Sequence, residues 1–207
     1  MRRWRIDLHP GVDERHQIAA LLRAGGVVLL PTDTIYGLHA LATDPRANER
    51  IAALKGRDEH KPFVVIANGS DDLLRIGVTF PPGVREALDE VWPAPLTAVL
   101  PLRHPLPASR GTSTLAVRVP ALDWLRELLA ETGPLSSTSV NRSGEPPAVS
   151  PSDCGHDLME ALDGVVDAGP ITGEPSAIVD FTGREARVIR RSDFFSQNVW
   201  KMLRKSW

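Results

Sequence analysis

Residues 14–36 read Glu14-Arg15-His16-Gln17-Ile18-Ala19-Ala20-Leu21-Leu22-Arg23-Ala24-Gly25-Gly26-Val27-Val28-Leu29-Leu30-Pro31-Thr32-Asp33-Thr34-Ile35-Tyr36. Ile18, Leu21 and Leu22 recur at helical spacing, so residues 14–24 are predicted to form a helix with one apolar face. Gly25-Gly26 stops it, as glycine does at helix ends. Val27–Leu30 then has the length and branching of a buried strand, and Pro31-Thr32-Asp33-Thr34 is a polar turn at its end. Helix, glycine stop, buried strand and polar turn together predict a mixed α/β fold.

The same alternation continues outward. Asp44-Pro45 is a helix start, with Asp as N-cap and Pro in the first turn, and the helix should run to Leu54 or Lys55 and stop near Gly56. Ser70-Asp71-Asp72 should cap another short helix, and further helices are predicted at 82–90, 122–130 and 153–162, and in the tail 192–207. Extended segments are predicted at 63–67, 96–100, 115–119, 165–166, 177–181 and 188–190. Many of the 18 prolines fall in loops, which predicts shaped rather than slack connections.

The 207 residues suit one domain, with a core at 14–191 and the tail packed on it. Lys plus Arg is 24 against 26 Asp plus Glu, a formal charge of −2, which excludes a globally basic nucleic-acid binder but not a local basic cleft. The single cysteine, Cys154, excludes an internal disulfide and a Cys-based zinc site, and fits a reducing compartment. Apolar runs such as Ile18–Leu22 and Phe63–Ala67 are far shorter than the ~20 residues a membrane span needs, and the basic start lacks the apolar stretch of a secretory signal. The expected location is the cytoplasm, without membrane contact.

Four polar clusters could carry chemistry. Thr32, Asp33, Thr34 and Tyr36 follow the first strand; their hydroxyls could bind a small polar ligand or simply cap a turn. Lys55, Arg57 and Lys61 gather three cations near a helix end, where they could meet phosphate or complement the helix dipole. Thr114 and Arg118 share a face of one strand, and an arginine there needs an anion, either a ligand carboxylate or an internal Asp or Glu. Ser139 and Asn141 stand in the Ser-rich segment 136–144. There is no GxSxG, P-loop or GxGxxG motif, and no paired-carboxylate constellation. What remains is an anion site that works by positioning and electrostatics.

In order, Pro31–Leu38, Lys55-Gly56-Arg57, Trp92–Thr97, Ala116–Pro120, Ser139–Gly144 and Ser176–Asp180 resemble the YrdC-like family of threonylcarbamoyl-AMP synthases, in its short single-domain form. The family's KxR and SxN elements match Lys55/Arg57 and Ser139/Asn141. The resemblance implies an α/β fold, a twisted, mostly open sheet with flanking helices and a large positively charged concave face. It implies that L-threonine, bicarbonate and ATP give threonylcarbamoyl-adenylate and pyrophosphate. The product would pass to tRNA threonylcarbamoyl-transfer proteins for N6-threonylcarbamoylation of adenosine 37.

The resemblance also implies roles. Thr34, Arg118, Ser139 and Ser176 are expected to contact threonine. Arg57, Lys61, Thr114, Asn141 and Arg190 are expected to contact ATP. Lys55 and Arg57 are expected to act on the phosphates in catalysis. Mg²⁺ is expected to travel with ATP, held by phosphate oxygens and water, with no protein metal ligands assigned. Departures from the family pattern are Ala94 for Gly, Ala177 for Thr, Arg191-Ser192 for Pro-Gly, and Pro147–Ser150 for Ser-Pro-Thr. A second reading is a protein of the same fold that binds tRNA or double-stranded RNA, supported by the basic groups at 184–191 and 201–205. A third, a carbamoyl-transfer relative, expects attached zinc-finger or acylphosphatase-like domains that this chain has no room for.

Overall fold

A computed structural model of the chain describes residues 1–6, 10–56, 61–141 and 147–205. Ten strands form one mixed sheet. They are β1 (Arg2–Arg5), β2 (Val28–Leu30), β3 (Gly37–Leu41), β4 (Val64–Ile66), β5 (Leu96–Pro101), β6 (Thr114–Arg118), β7 (Leu135–Ser139), β8 (Gly164–Asp167), β9 (Ala177–Asp180) and β10 (Arg187–Arg190). The spatial order is β1-β8-β2-β3-β7-β4-β6-β5-β9-β10. The centre, β2-β3-β7-β4, is antiparallel, while β1-β8-β2, β4-β6 and β5-β9 pair in parallel.

The helices are α1 (Val12–Arg23), α2 (Pro45–Lys55), α3 (Ser70–Arg75), α4 (Val84–Val91), α5 (Asp123–Thr132), α6 (His156–Glu160) and α7 (Gln197–Lys205). α2 starts as its sequence dictates: the Asp44 carboxylate accepts the Ala47 N–H at 3.0 Å, and Pro45 occupies the first turn. It stops at Gly56, whose φ of 51° is left-handed, which delivers Lys55 to the helix end. The helix expected at 153–162 is shorter than predicted. A 3₁₀ turn at Pro151–Asp153 comes first, and α6 begins only after Gly155.

Directly opposed residues of neighbouring strands point to the same side of a sheet, so the register sorts every strand residue by face. On one face Leu29, Leu38 and Val165 pack against Ala47, Ile51 and Ala52 of α2. Val65, Val117, Ala98 and Val179 of the same face pack against α4 and α7. Among the described residues, helices cover only part of the other face. Val28, Leu30, Ile66, Leu135 and Val166 meet Ile18, Ala19 and Leu22 of α1 and Trp124, Leu125, Leu128 and Leu129 of α5. Each fully buried leucine of that layer contributes on the order of 2 kcal/mol. The remainder of this face carries Thr114, Ala116, Val64, Ser137, Ser139, Val99 and Ile178, all part-exposed. That part-exposed strip is the floor of the candidate site.

Three strands were not predicted: β1, β3 and β7, the last lying mostly in the Ser-rich segment. β1 exposes Arg2, Arg3 and Arg5 and buries only Trp4, so no apolar pattern marks it. β3 is buried on both faces except at Leu41, so it shows no alternation, and glycine and histidine dilute its apolar character.

Candidate active site

The turn between β2 and β3 is knitted by Thr32. Its hydroxyl donates to the Ile35 carbonyl at 2.8 Å and accepts the Thr34 and Ile35 N–H groups at 3.1 and 3.2 Å. It also lies 2.9 Å from the Thr34 hydroxyl. Either hydroxyl can be the donor in this Thr32–Thr34 contact. Thr34 in turn accepts from Arg118 Nη1 at 2.9 Å. The turn thus holds the buried Thr34 hydroxyl in a fixed place against Arg118.

Arg118 reaches this turn from β6. Its Nη2 lies 3.4 Å from Asp33 Oδ1, and both side chains are less than a tenth exposed. Asp33 also accepts the Ala121 N–H at 3.0 Å. The sequence left open whether an internal carboxylate or a ligand satisfies Arg118. Asp33 is the internal partner, and Arg190 is close enough to act on Arg118 as well. Desolvation lowers the Arg118 pKa; Asp33 opposes this and Arg190 reinforces it. The Arg190 pKa is likewise lowered by desolvation, with Glu174 opposing.

Arg190 is held by a hydrogen bond from Nε to the Ser176 carbonyl at 2.8 Å. The Ser176 hydroxyl is 2.8 Å from that of Thr97, which stands beside Arg118 in the β5–β6 register. Thr34, Arg118, Ser176 and Arg190, expected from four separate segments, are therefore brought together. Thr97 joins them, although no role was read for it. A further component is Gly173. A Cβ at that position would collide with the backbone of Thr34, so the segment before β9 lies directly on the Thr34 turn.

A second group lies at the end of β7. Lys55 donates from Nζ to the Ser139 carbonyl at 2.7 Å. The Ser139 side chain, by register, faces the same floor as Thr114 and Arg118. Lys55 and Asn141 line an open cleft of about 1050 Å³ together with Pro147–Ser150 and Asp153–Leu158. The departure noted at Pro147–Ser150 thus forms one wall of that cleft. Lys61 is exposed just before β4. Arg57 lies outside the described residues.

One of the open sequence readings narrows. The Tyr36 hydroxyl is not offered to a ligand. It donates to the Gly169 carbonyl at 2.8 Å and accepts the Ala168 N–H at 2.9 Å, tying the turn to the end of β8; burial pushes its pKa up. His39, which has no motif partner in the sequence, sits fully buried between the Gly37 carbonyl and the Ser137 hydroxyl. Ser136 and Thr138 point away from the floor, and Ser136 bonds the Ala40 carbonyl at 3.1 Å. Alternation along Leu135–Ser139 could have separated these serines from Ser137 and Ser139.

Among the described residues, no three His, Cys, Asp or Glu side chains gather as a cation cage. No helix of the described residues is long and apolar enough to cross a membrane.

The family Sua5/YciO/YrdC, described as telomere recombination, matches residues 20–192. The threonylcarbamoyl-AMP synthase of Halorhodospira halophila is 38% identical over 178 residues, covering 84% of this chain and 92% of that protein. That of Laribacter hongkongensis is 35% identical over 179 residues, covering 86% and 96%. The crystal structure of Pyrococcus abyssi Sua5 complexed with L-threonine superposes with a TM-score of 0.82 at 28% identity, over 97% of this chain and 60% of that one. Escherichia coli YciO shares the fold, with a TM-score of 0.82 at 21% identity.

Proposed function

Because the chain belongs to the Sua5/YciO/YrdC family, we propose that it is a threonylcarbamoyl-AMP synthase, making L-threonylcarbamoyladenylate and pyrophosphate from L-threonine, bicarbonate and ATP. The observation that carries the reading is the buried Arg118 guanidinium held at the Thr34 turn, with the Thr34 and Ser176 hydroxyls near it. Arg118 and Arg190 act on one another there, and Asp33 is the carboxylate paired with Arg118. A buried guanidinium, with the exposed Arg190 near it and hydroxyls beside it, suits a small carboxylate with hydrogen-bonding groups of its own. L-Threonine meets that description, and Thr34, Arg118, Ser139 and Ser176 are its proposed contacts.

Lys55 and Asn141, at the cleft beyond Ser139, suit the nucleotide. Thr114, on the floor, and Arg190, Lys61 and Arg57 complete the proposed ATP contacts. In the reaction, the threonine amine adds to carbon dioxide derived from bicarbonate and loses a proton, giving a carbamate. A carbamate oxygen attacks the α-phosphorus, the bond to the β-phosphate oxygen breaks, and pyrophosphate leaves. Lys55 and Arg57 are proposed to stabilise the negative charge that grows on the phosphates. Mg²⁺ would enter on the triphosphate, supplying charge neutralisation there; the described residues supply no cage for it, and no step is assigned to it. The product suits transfer to tRNA adenosine 37 by partner proteins, in the cytoplasm.

The test is product formation from ¹³C-bicarbonate. Mass spectrometry should find the label in an adenylate that also contains threonine, and Arg118→Ala should abolish it. An adenylate without carbon from bicarbonate would overturn the assignment.

A further inference from the structure

His39 is fully buried in β3, opposite Ser137 of β7, yet the proposed reaction gives it no role. Its Nδ1 lies 2.9 Å from the Gly37 carbonyl oxygen, which can only accept. Nδ1 therefore carries a proton. Desolvation holds the ring neutral, with a pKa of about 3; the Gly37 and Val28 carbonyls oppose this and Arg118 adds to it. A neutral imidazole has one N–H, so Nε2 is bare. Nε2 lies 3.1 Å from the Ser137 hydroxyl, which must be the donor.

Ser137 is part-exposed on the site floor, two residues from Ser139 on the same side of β7 and beside Val64. An unconstrained serine can donate or accept. This one has its proton directed inward and shows the site only lone pairs. It can receive a hydrogen bond from a ligand N–H or O–H, and it cannot serve a phosphate or carboxylate oxygen. Anionic groups are left to the arginines and Lys55.

We infer that His39 is a positioning residue that fixes Ser137 as a hydrogen-bond acceptor on the site floor, where it receives an N–H or O–H of a bound substrate. The inference rests on the synthase reading for the identity of the donor. That donor is either the amine or hydroxyl of threonine or an amino or ribose hydroxyl group of ATP.

Three variants test it: Ser137→Ala, His39→Leu and the double substitution, with threonine and ATP affinities measured separately by calorimetry and KM and kcat alongside. Ser137→Ala should weaken one ligand roughly threefold to tenfold, the worth of one hydrogen bond, with kcat little changed. The ligand that responds identifies the donor. His39→Leu should weaken the same ligand, and the double variant should bind no worse than Ser137→Ala. Unchanged affinities in Ser137→Ala overturn the inference. So does a His39→Leu effect that persists undiminished without Ser137.

Should His39→Leu fail to fold, ¹⁵N NMR of the wild-type imidazole decides. A proton on Nδ1 and a bare Nε2 are expected, and a proton on Nε2 refutes the scheme. These readouts need no turnover. A wild-type chain that binds both ligands but makes no adenylate ends the synthase reading alone, whereas one that binds neither ends both.

Discussion

Arg118 and Asp33 form a buried ion pair whose two halves do different work. Both lie under a tenth exposed, at 3.4 Å. Removing one member of such a pair strands the other charge, which costs about 3–5 kcal/mol. Arg118→Met should therefore lower the unfolding free energy in urea by that order and abolish threonine binding. Adding Asp33→Asn should restore most of the stability and none of the binding. Recovery of binding in the double variant would mean that Arg118 serves the fold alone. Arg118 was legible in the sequence because a cation in an apolar strand demands an anion. Its partner was not, because Asp33 lies on a turn that only the tertiary fold brings to β6. The same holds for Thr97 and Gly173, whose meaning lies in a contact across the fold rather than in local chemistry.

Among the elements, α2 and the segment before β9 carry the site. Asp44 caps α2 far from the chemistry, so Asp44→Ala should cost about 1 kcal/mol in urea unfolding and leave the threonine KM unchanged. Gly173→Ala acts in the opposite way. The added methyl would press on the Thr34 backbone, which cannot swing aside as a side chain could. Threonine affinity should fall at least tenfold while ATP affinity changes little; equal losses of both would point to general disruption instead. Helix ends such as Asp44-Pro45 and Gly56 could be read directly, because capping is chemistry of adjacent residues. β3 could not, since a strand buried on both faces at the centre of a sheet has no period to detect. Its position between β2 and β7 is nevertheless what lines up Gly37, His39 and the floor serines.

For the molecule as a whole, buried ionisable groups make folding depend on pH. His39 titrates near 6.5 when unfolded and at about 3 when folded. Between those values the unfolded chain binds a proton that the folded chain refuses, so stability is full above pH 6.5 and falls as pH drops toward 3. The slope from this residue is at most about 1.4 kcal/mol per pH unit. Asp163 adds to the loss at lower pH: burial opposes, but the Val27 N–H and the Arg50 guanidinium together hold its carboxyl below the usual range. Urea unfolding at pH 4.5 and 6.5 should show the difference, and His39→Leu should remove most of it; an unchanged slope would show that other groups set it. The architecture was legible as mixed α/β from the alternation around residues 14–36, while the ten-strand order was not, because pairings such as β3 with β7 join distant segments. The family resemblance implies the reaction, and the structure sets Arg118, Ser139, Thr114 and their neighbours in register on one sheet face. The most direct measurement is pyrophosphate release from ATP with threonine and bicarbonate each withheld in turn. The account predicts release only when both are present. Release that persists without either one, or none with all three substrates, would contradict it.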